Sequence, residues 1–347
     1  MKKLHLIMAA AVLTTDATGA TALTLADWAK RLDPDGNVPK VVEMLQQKNE
    51  ILDDMLFVEG NLPTGHRSTI RTGLPSVAWR KLNYGVPQSK STTVTVDDTC
   101  GMLEARGQVD VDLAALNGNA AAFRLSENSA FLEAMNQEMA STLFYNDTDV
   151  YPERPLGLAP RFSDIGAGAP ANAINIVDGG GIGSDNTSIW FIAWGAETVH
   201  GIFPKGSKAG VEHKDLGEGD AFDADGNRFR ALMDQWKWKN GLCVRDWRYV
   251  SRICNIDVSD VRTDITAIKN LLTLMIDAEE RIQDMNTGRV AIYCNRTIRA
   301  ALRKAIVEKI AASTLTEESV GGKRVTMWNG IPVRICDKLL LTEARVI

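Results

Sequence analysis

The sequence predicts an α+β protein assembled from several modules. Three patterns carry that expectation. Between Arg67 and Leu113 apolar residues alternate with period two, punctuated by Gly73, Pro75, Gly85 and Pro87. From Ala120 to Tyr145 the period becomes helical: Phe131, Met135, Met139 and Leu143 recur at i+4, and Leu132 joins them. The last third interleaves both periods in a compact α/β block.

The first element is an arm. "LDPDGNVPKVVEMLQQKNEILDDMLF" opens with turn residues, and Pro39 suits the first turn of a helix. Val41, Leu45, Leu52 and Leu56 line one face of that helix, widened by Val42, Met44, Ile51 and Met55. Ahead of it, "MKKLHLIMAAAVLTTDATGATA" resembles a secretory signal, but His5 interrupts a short apolar run. The reading adopted is an uncleaved arm that packs on a neighbour. No run is long enough to span a bilayer.

The β excursion comes next. "STTVTV" places Val94 and Val96 on one face, and "QVDVDL" does the same for Val109, Val111 and Leu113. So little apolar content leaves two readings open: a hairpin arm that needs a partner surface, or an irregular sheet packed on its own chain. The helix that follows would be ~39 Å long if continuous, at 1.5 Å per residue. Its methionines read as core.

"VDGGGIGSDNTSIWFIAWG" looks at first like a phosphate-binding loop. Such a loop follows a strand and opens a helix. Here the glycines precede the apolar strand Ile189–Trp194, and no Gly-Lys-Ser/Thr follows. The stretch reads as a turn entering a buried strand. Further on, Trp236 and Trp238 share one strand face, and Asn240-Gly241 offers a type I′ hairpin. Sheet core is the plain reading of the Trp pair. Base stacking beside Lys237, Lys239, Arg245 and Arg248 is the alternative. In the closing block, Ile265, Ile268, Leu272, Met275 and Ile282 line one helix, and "RVAIYC" is a buried strand. Asn295 caps a helix with Ile298, Leu302, Ala305 and Ile306 inward, Arg299 and Arg303 making a solvated row. Asn329-Gly330 closes a second hairpin.

Bulk properties narrow the function. The chain has 347 residues, enough for two or three cores, with 45% apolar and 24% charged residues, a globular composition. A net charge of −5 argues against a dedicated nucleic-acid binder. The five cysteines (Cys100, Cys243, Cys254, Cys294, Cys336) are odd in number, dispersed and free of Cys-x-x-Cys spacing. That points away from a disulfide framework and toward a reducing compartment. The four histidines, His5, His66, His200 and His213, show no metal-ligand spacing, so no metal site is expected. No nucleophile elbow, zincin motif or dinucleotide fingerprint occurs. Asp53-Asp54 and Glu279-Glu280 read as ordinary solvated helix faces. No catalytic, cofactor-binding or metal residue is therefore nominated.

The segments "TLADWAKRLDPDG" (Thr24 to Gly36), "GLAPRF" (Gly157 to Phe162), "DNTSIWFIAWGAETVHGIFPKGSKAG" (Asp185 to Gly210), "RDWRYVSRICNID" (Arg245 to Asp257) and "NGIPVRICD" (Asn329 to Asp337) carry a resemblance. The chain resembles major capsid proteins of tailed phages of the Hong Kong 97 type, most of all those of short-tailed phages related to epsilon15. The resemblance implies an N-terminal arm with a helix (1–60), an extended β loop (61–116), a spine helix with a peripheral domain (117–258) and an axial domain (259–347). Strands that look peripheral (Ile189 to Ile256) then precede the block that looks axial (Thr263 to Ile347), the reverse of the prototype order. It further implies a structural protein rather than an enzyme: no cofactor, and self-assembly through hexamers and pentamers. Scaffolding, portal and decoration partners are implied too, with double-stranded DNA packaged without sequence specificity and no membrane contact. The virion capsid, assembled in the host cytoplasm, is the expected location. No self-crosslinking residues can be matched. Rival readings are a periplasmic solute-binding protein, which needs a second βαβ-rich lobe, and a hydrolase with an unrecognised site.

Overall fold

A computed structural model describes residues 47–115, 120–223, 225–308, 314–320 and 323–347. The signal-like run, Pro39 and the first half of the expected arm helix lie outside the described residues. What is described of that helix is α1 (Ile51–Asp54), where Ile51 and Met55 are buried and Leu56 is exposed. The buried face is thus the one expected only to widen the stripe.

The chain then runs through β1 (Phe57–Glu59), β2 (Gly65–Gly73) and β3 (Thr92–Asp110). Next come α2 (Val111–Ala115), α3 (Ala120–Tyr145), α4 (Leu158–Arg161) and β4 (Ile176–Asp178). β5 (Asn186–Trp194), β6 (Val199–Phe203), β7 (Val211–Phe222), β8 (Arg228–Val244) and β9 (Val250–Asp257) follow. The closing block holds α5 (Val258–Thr263), α6 (Ile265–Glu280), β10 (Arg289–Cys294), α7 (Arg296–Val307), β11 (Leu315–Val320), β12 (Lys323–Trp328) and β13 (Ile331–Ile335). Among the described residues no helix is long and apolar enough to cross a membrane.

The chain divides into two units. The larger takes 43–105, 129–213 and 236–347. Its centre is β5, buried at every position. β5 pairs antiparallel with β9 on one side and β10 on the other, and β10 continues through a parallel pairing to β13. Alternation then sorts the side chains. Ile189, Phe191 and Ala193 pack with Ile268, Leu272 and Met275 of α6 and Ile298 and Leu302 of α7. Trp190, Ile192 and Trp194 pack with Met135, Met139, Leu143 and Phe144 of α3. Helices on both faces explain why β5 is a continuous apolar run. The strands Ile189 to Ile256 and the closing block accordingly share one sheet. Asp257, Asp264 and Asn295 cap α5, α6 and α7, Asn295 accepting from the Thr297 N–H at 3.0 Å. Ile265, expected inward, is exposed, and Leu271 and Ala278 are buried instead.

The smaller unit contains 106–128 and 214–235. Its apolar core is slight: Val109, Ala114 and Phe123, with Leu232 against them. Arg124 bridges Asp234 at 2.8 Å and Asp215 at 2.9 Å. Here the expected strand "QVDVDL" stops early. The Asp110 carboxylate accepts from the N–H groups of Asp112 and Leu113, so Val111 and Leu113 turn into α2.

The two Asn-Gly dipeptides part company. Asn329 (φ 45°) and Gly330 (φ 81°) form the expected type I′ turn, with Trp328 paired to Ile331. Asn240 and Gly241 do not turn; β8 runs straight through them. Asn240 is fully buried, and a Cβ on Gly241 would lie 2.5 Å from the Thr99 carbonyl. The glycine serves close approach of a neighbouring strand. Gly179 to Gly183 form the expected turn into β5, tied to β9 by the N–H groups of Gly179 and Gly181. Trp236 and Trp238 are core residues, as the plain reading had it. Burial removes them from base stacking.

Candidate assembly surface

β2 and β3 form an antiparallel hairpin from Gly65↔Thr99 out to Gly73↔Thr92, with an irregularity between Arg71 and Gly73. Its root belongs to the protein's own core. Ser68 and Asp98 are buried, and Asp98 accepts from Arg161 of α4 at 2.6 Å. The same guanidinium reaches the Leu242 carbonyl at 3.3 Å. Between Ser68 and Asp98 in the register, Arg67 pairs with Asp97 at 2.6 Å in solvent, a hydrogen bond that holds the Asp97 carboxyl below the usual carboxylate range.

Residues 74–91 form the tip, without helix or strand. It has local order: Ser89 donates to the Ser76 carbonyl at 2.7 Å, Arg80 Nε donates to the Tyr84 carbonyl at 3.1 Å, and Asn83 takes a left-handed φ of 65°. Among the described residues nothing covers its apolar side chains. Trp79 is 101% exposed, Val77 93% and Leu82 91%, and Leu74 and Tyr84 are also exposed. Its charges are Arg80, Lys81 and Lys90, with no Asp or Glu among residues 74–91. A contiguous apolar and cationic surface of this kind marks an interaction site. The two readings of the β excursion thus divide the segment: the root packs on its own chain and the tip is left for a partner.

Of the carboxylates read as solvated from sequence, Asp53 and Glu280 are exposed, but Asp54 and Glu279 are engaged. Asp54 is buried, pairs with Arg289 at 2.7 Å and Arg334 at 3.0 Å, and accepts from the Tyr293 hydroxyl at 3.1 Å. Glu279 accepts from Trp328 Nε1 at 2.7 Å and Asn329 Nδ2 at 2.9 Å, tethering the β12–β13 turn to α6. Side chains that sequence places far apart also meet. His66, His200 and Cys243 bring one ligand atom each to within 4.8 Å of one another. Arg252 and Glu343 form an ion pair in the interior. The five cysteines are free thiols, four of them buried. Burial pushes the Cys294 and Cys336 thiols up to about 12, which keeps them protonated and inert at neutral pH.

Residues 33–347 match the model of a family described as major capsid protein GP7. Among solved structures, the chain is similar to a chain of bacteriophage Epsilon15 solved by cryo-electron microscopy. The two are 36% identical, the match covers 95% of this chain and 99% of that one, and the TM-score is 0.76. More remote are the bacteriophage JBD30 capsid (8% identity, 88% of this chain, 99% of that one, TM-score 0.46) and the capsid of a native GTA particle (9% identity, 65% and 95%, TM-score 0.46). No curated protein matches the chain. A family match over nearly the whole described chain, joined to an uncovered apolar hairpin tip, leads to one conclusion: this chain belongs to the GP7 family of phage major capsid proteins, has the Hong Kong 97-type fold and forms the shell of the virion.

Proposed function

We propose that hexamers and pentamers of this chain close into an icosahedral shell around double-stranded DNA, assembled in the host cytoplasm with scaffolding, portal and decoration proteins. The observation that carries the reading is the tip at residues 74–91, whose Trp79, Val77 and Leu82 are covered by nothing among the described residues. A second copy is the occupant that a self-assembling shell supplies at every tip. Spreading contacts over many such small surfaces makes closure collective and leaves each contact weak enough to correct. The net charge of −5 supports a shell that does not grip its DNA.

The four roles are assigned on the same footing: arm (1–60), extended loop (61–116), spine helix with peripheral domain (117–258) and axial domain (259–347). Because β5 and β9 pair into the sheet of β10, we extend the axial role to those two strands. The peripheral role stays with α3 and the long β8.

The test is excision of 74–91 in favour of a short Gly/Ser linker, leaving the buried root in place. Circular dichroism should show a folded chain, and sedimentation should show loss of shells and capsomers. Closed shells from the excised chain would overturn the reading.

A further inference from the structure

The geometry points to a divalent transition-metal site, of the zinc class, formed by His66, His200 and Cys243 in the larger unit. His200 of β6 and Cys243 of β8 are direct partners across an antiparallel pair, so their side chains leave the sheet together. His66, near the start of β2, completes the group with its ring edge-on to His200, centroids 5.7 Å apart and planes at 86°. The three ligand atoms lie within 4.8 Å of one another. A tetrahedral zinc site, with Zn–N near 2.0–2.1 Å and Zn–S near 2.3 Å, has ligand-to-ligand edges of about 3.3–3.6 Å. Closing that difference calls for an inward shift of the side chains on binding.

A second, independent observation points to a ligand. His200 is 1% exposed, yet neither of its ring nitrogens has a hydrogen-bond partner, and His66 Nδ1 is likewise buried and unpartnered. Imidazoles packed only as core normally satisfy at least one nitrogen. The Gly195 backbone acts on His200 without reaching hydrogen-bond geometry.

Charge and proton accounting is simple. Cys243 is a free, buried thiol. On binding, one Zn–S and two Zn–N bonds form and the thiol proton leaves to solvent. The charge left by zinc and one thiolate is +1, and because the nearby Asp98 carboxylate already pairs with Arg161 at 2.6 Å, the site keeps that positive charge. The fourth position falls to water. Such a site would staple the root of the β2–β3 hairpin to β6 and β8.

The test uses the full-length chain stripped with a chelator and titrated with Co²⁺ as a spectroscopic probe. Expected are one Co²⁺ per subunit, a thiolate-to-metal charge-transfer band in the near ultraviolet and intense visible bands of tetrahedral Co²⁺. Cys243→Ser should abolish the charge-transfer band, and Cys100→Ser should leave it intact. His66→Gln, at a half-buried position that tolerates substitution, should weaken Co²⁺ binding roughly tenfold or more. It carries the test alone if Cys243→Ser does not fold. Absence of the band in the parent chain, or unchanged Co²⁺ binding in His66→Gln, would overturn the proposal and leave a packed histidine pair.

Discussion

Arg252 and Glu343, 91 positions apart in sequence, meet at 2.9 Å in the protein interior, both almost completely buried. The guanidinium also donates to the Phe162 carbonyl at 2.6 Å and to Ser188 Oγ at 3.1 Å, and it lies over the Trp190 ring at 4.9 Å. Glu343 accepts in addition from the Tyr145 hydroxyl at 2.5 Å and from Ser188. One carboxylate thereby joins the end of the spine helix, β5, β9 and the C-terminal segment. Removing one partner strands the other's charge. Glu343→Ala should therefore cost about 3–5 kcal/mol. Tyr145→Phe, which deletes a hydrogen bond to a charged group, should cost about 1.5–3 kcal/mol. Urea unfolding of non-assembling chains measures both. A Glu343→Ala chain as stable as the parent would show the pair to be dispensable.

The spine invites a backbone test. Met135, Met139 and Leu143 are buried against β5 and its neighbours. Met135→Pro removes a helix hydrogen bond and clashes with the preceding turn, at about 3 kcal/mol or more, and should yield insoluble protein. Met135→Ala keeps the helix but opens a cavity, at about 2–5 kcal/mol, and should yield soluble chains with a lowered melting temperature. Soluble, assembling Met135→Pro would contradict a continuous α3.

These two elements also mark how far the sequence could be read. The i+4 recurrence in α3 and the unbroken apolar run in β5 are local patterns with one physical reading each, and both were legible. Leu132 was assigned to the buried stripe and is exposed, because a stripe's edge is set by what packs on it. The Arg252–Glu343 pair and the His66, His200, Cys243 group join residues that no local spacing relates. Asp54 looked solvated because Arg289 and Arg334, which cover it, arrive from distant strands. The hairpin tip was partly legible: its poverty in core residues showed the need for a partner, but only the fold separates the buried root from the exposed end.

The two Asn-Gly dipeptides give a paired prediction. Gly330 has a φ of 81° and open space around its Cα, so Gly330→Ala should cost only the left-handed strain, roughly 1–2 kcal/mol. At Gly241 a Cβ would collide with the Thr99 carbonyl and the Cys100 Cα, backbone atoms of β3 that cannot swing aside. Gly241→Ala should be the more damaging, from overpacking and loosened strand pairing. Equal melting temperatures for the two variants would contradict a β8 that runs straight through Asn240-Gly241.

Asp337 supplies a pH signature. Burial raises its pKa, but the Arg296 hydrogen bond at 2.7 Å and the Lys48 N–H at 3.0 Å outweigh that, so the folded value lies below the ordinary carboxylate. A depressed folded pKa contributes stability that is present above the unfolded value, near 3.9, and is lost as pH falls through the folded one. The parent should thus exceed Asp337→Asn in stability at pH 7, and the gap should shrink as pH drops below about 4. A gap that stays constant across that window would mean that the ion pair adds nothing beyond packing.

Trp79 tests the assembly surface at the scale of one side chain. It is fully exposed at the tip and contributes nothing to its own chain's core. Trp79→Ser should therefore leave the unfolding free energy of the unassembled chain within about 0.5 kcal/mol of the parent, as surface substitutions do. Against a partner the same ring has ~150–250 Å² to bury, the kind of aromatic anchor that dominates interfaces. Assembly should weaken sharply, seen as a higher critical concentration in sedimentation. Arg80→Glu with Lys81→Glu should act differently. Reversing two cations beside the anchor repels a partner chosen for a cationic tip, and the defect should ease as salt rises. If Trp79→Ser assembles like the parent while the charge reversal does not, the tip docks by electrostatics alone and the apolar contact is dispensable. If both assemble normally, the contact that closes the shell lies elsewhere on the subunit.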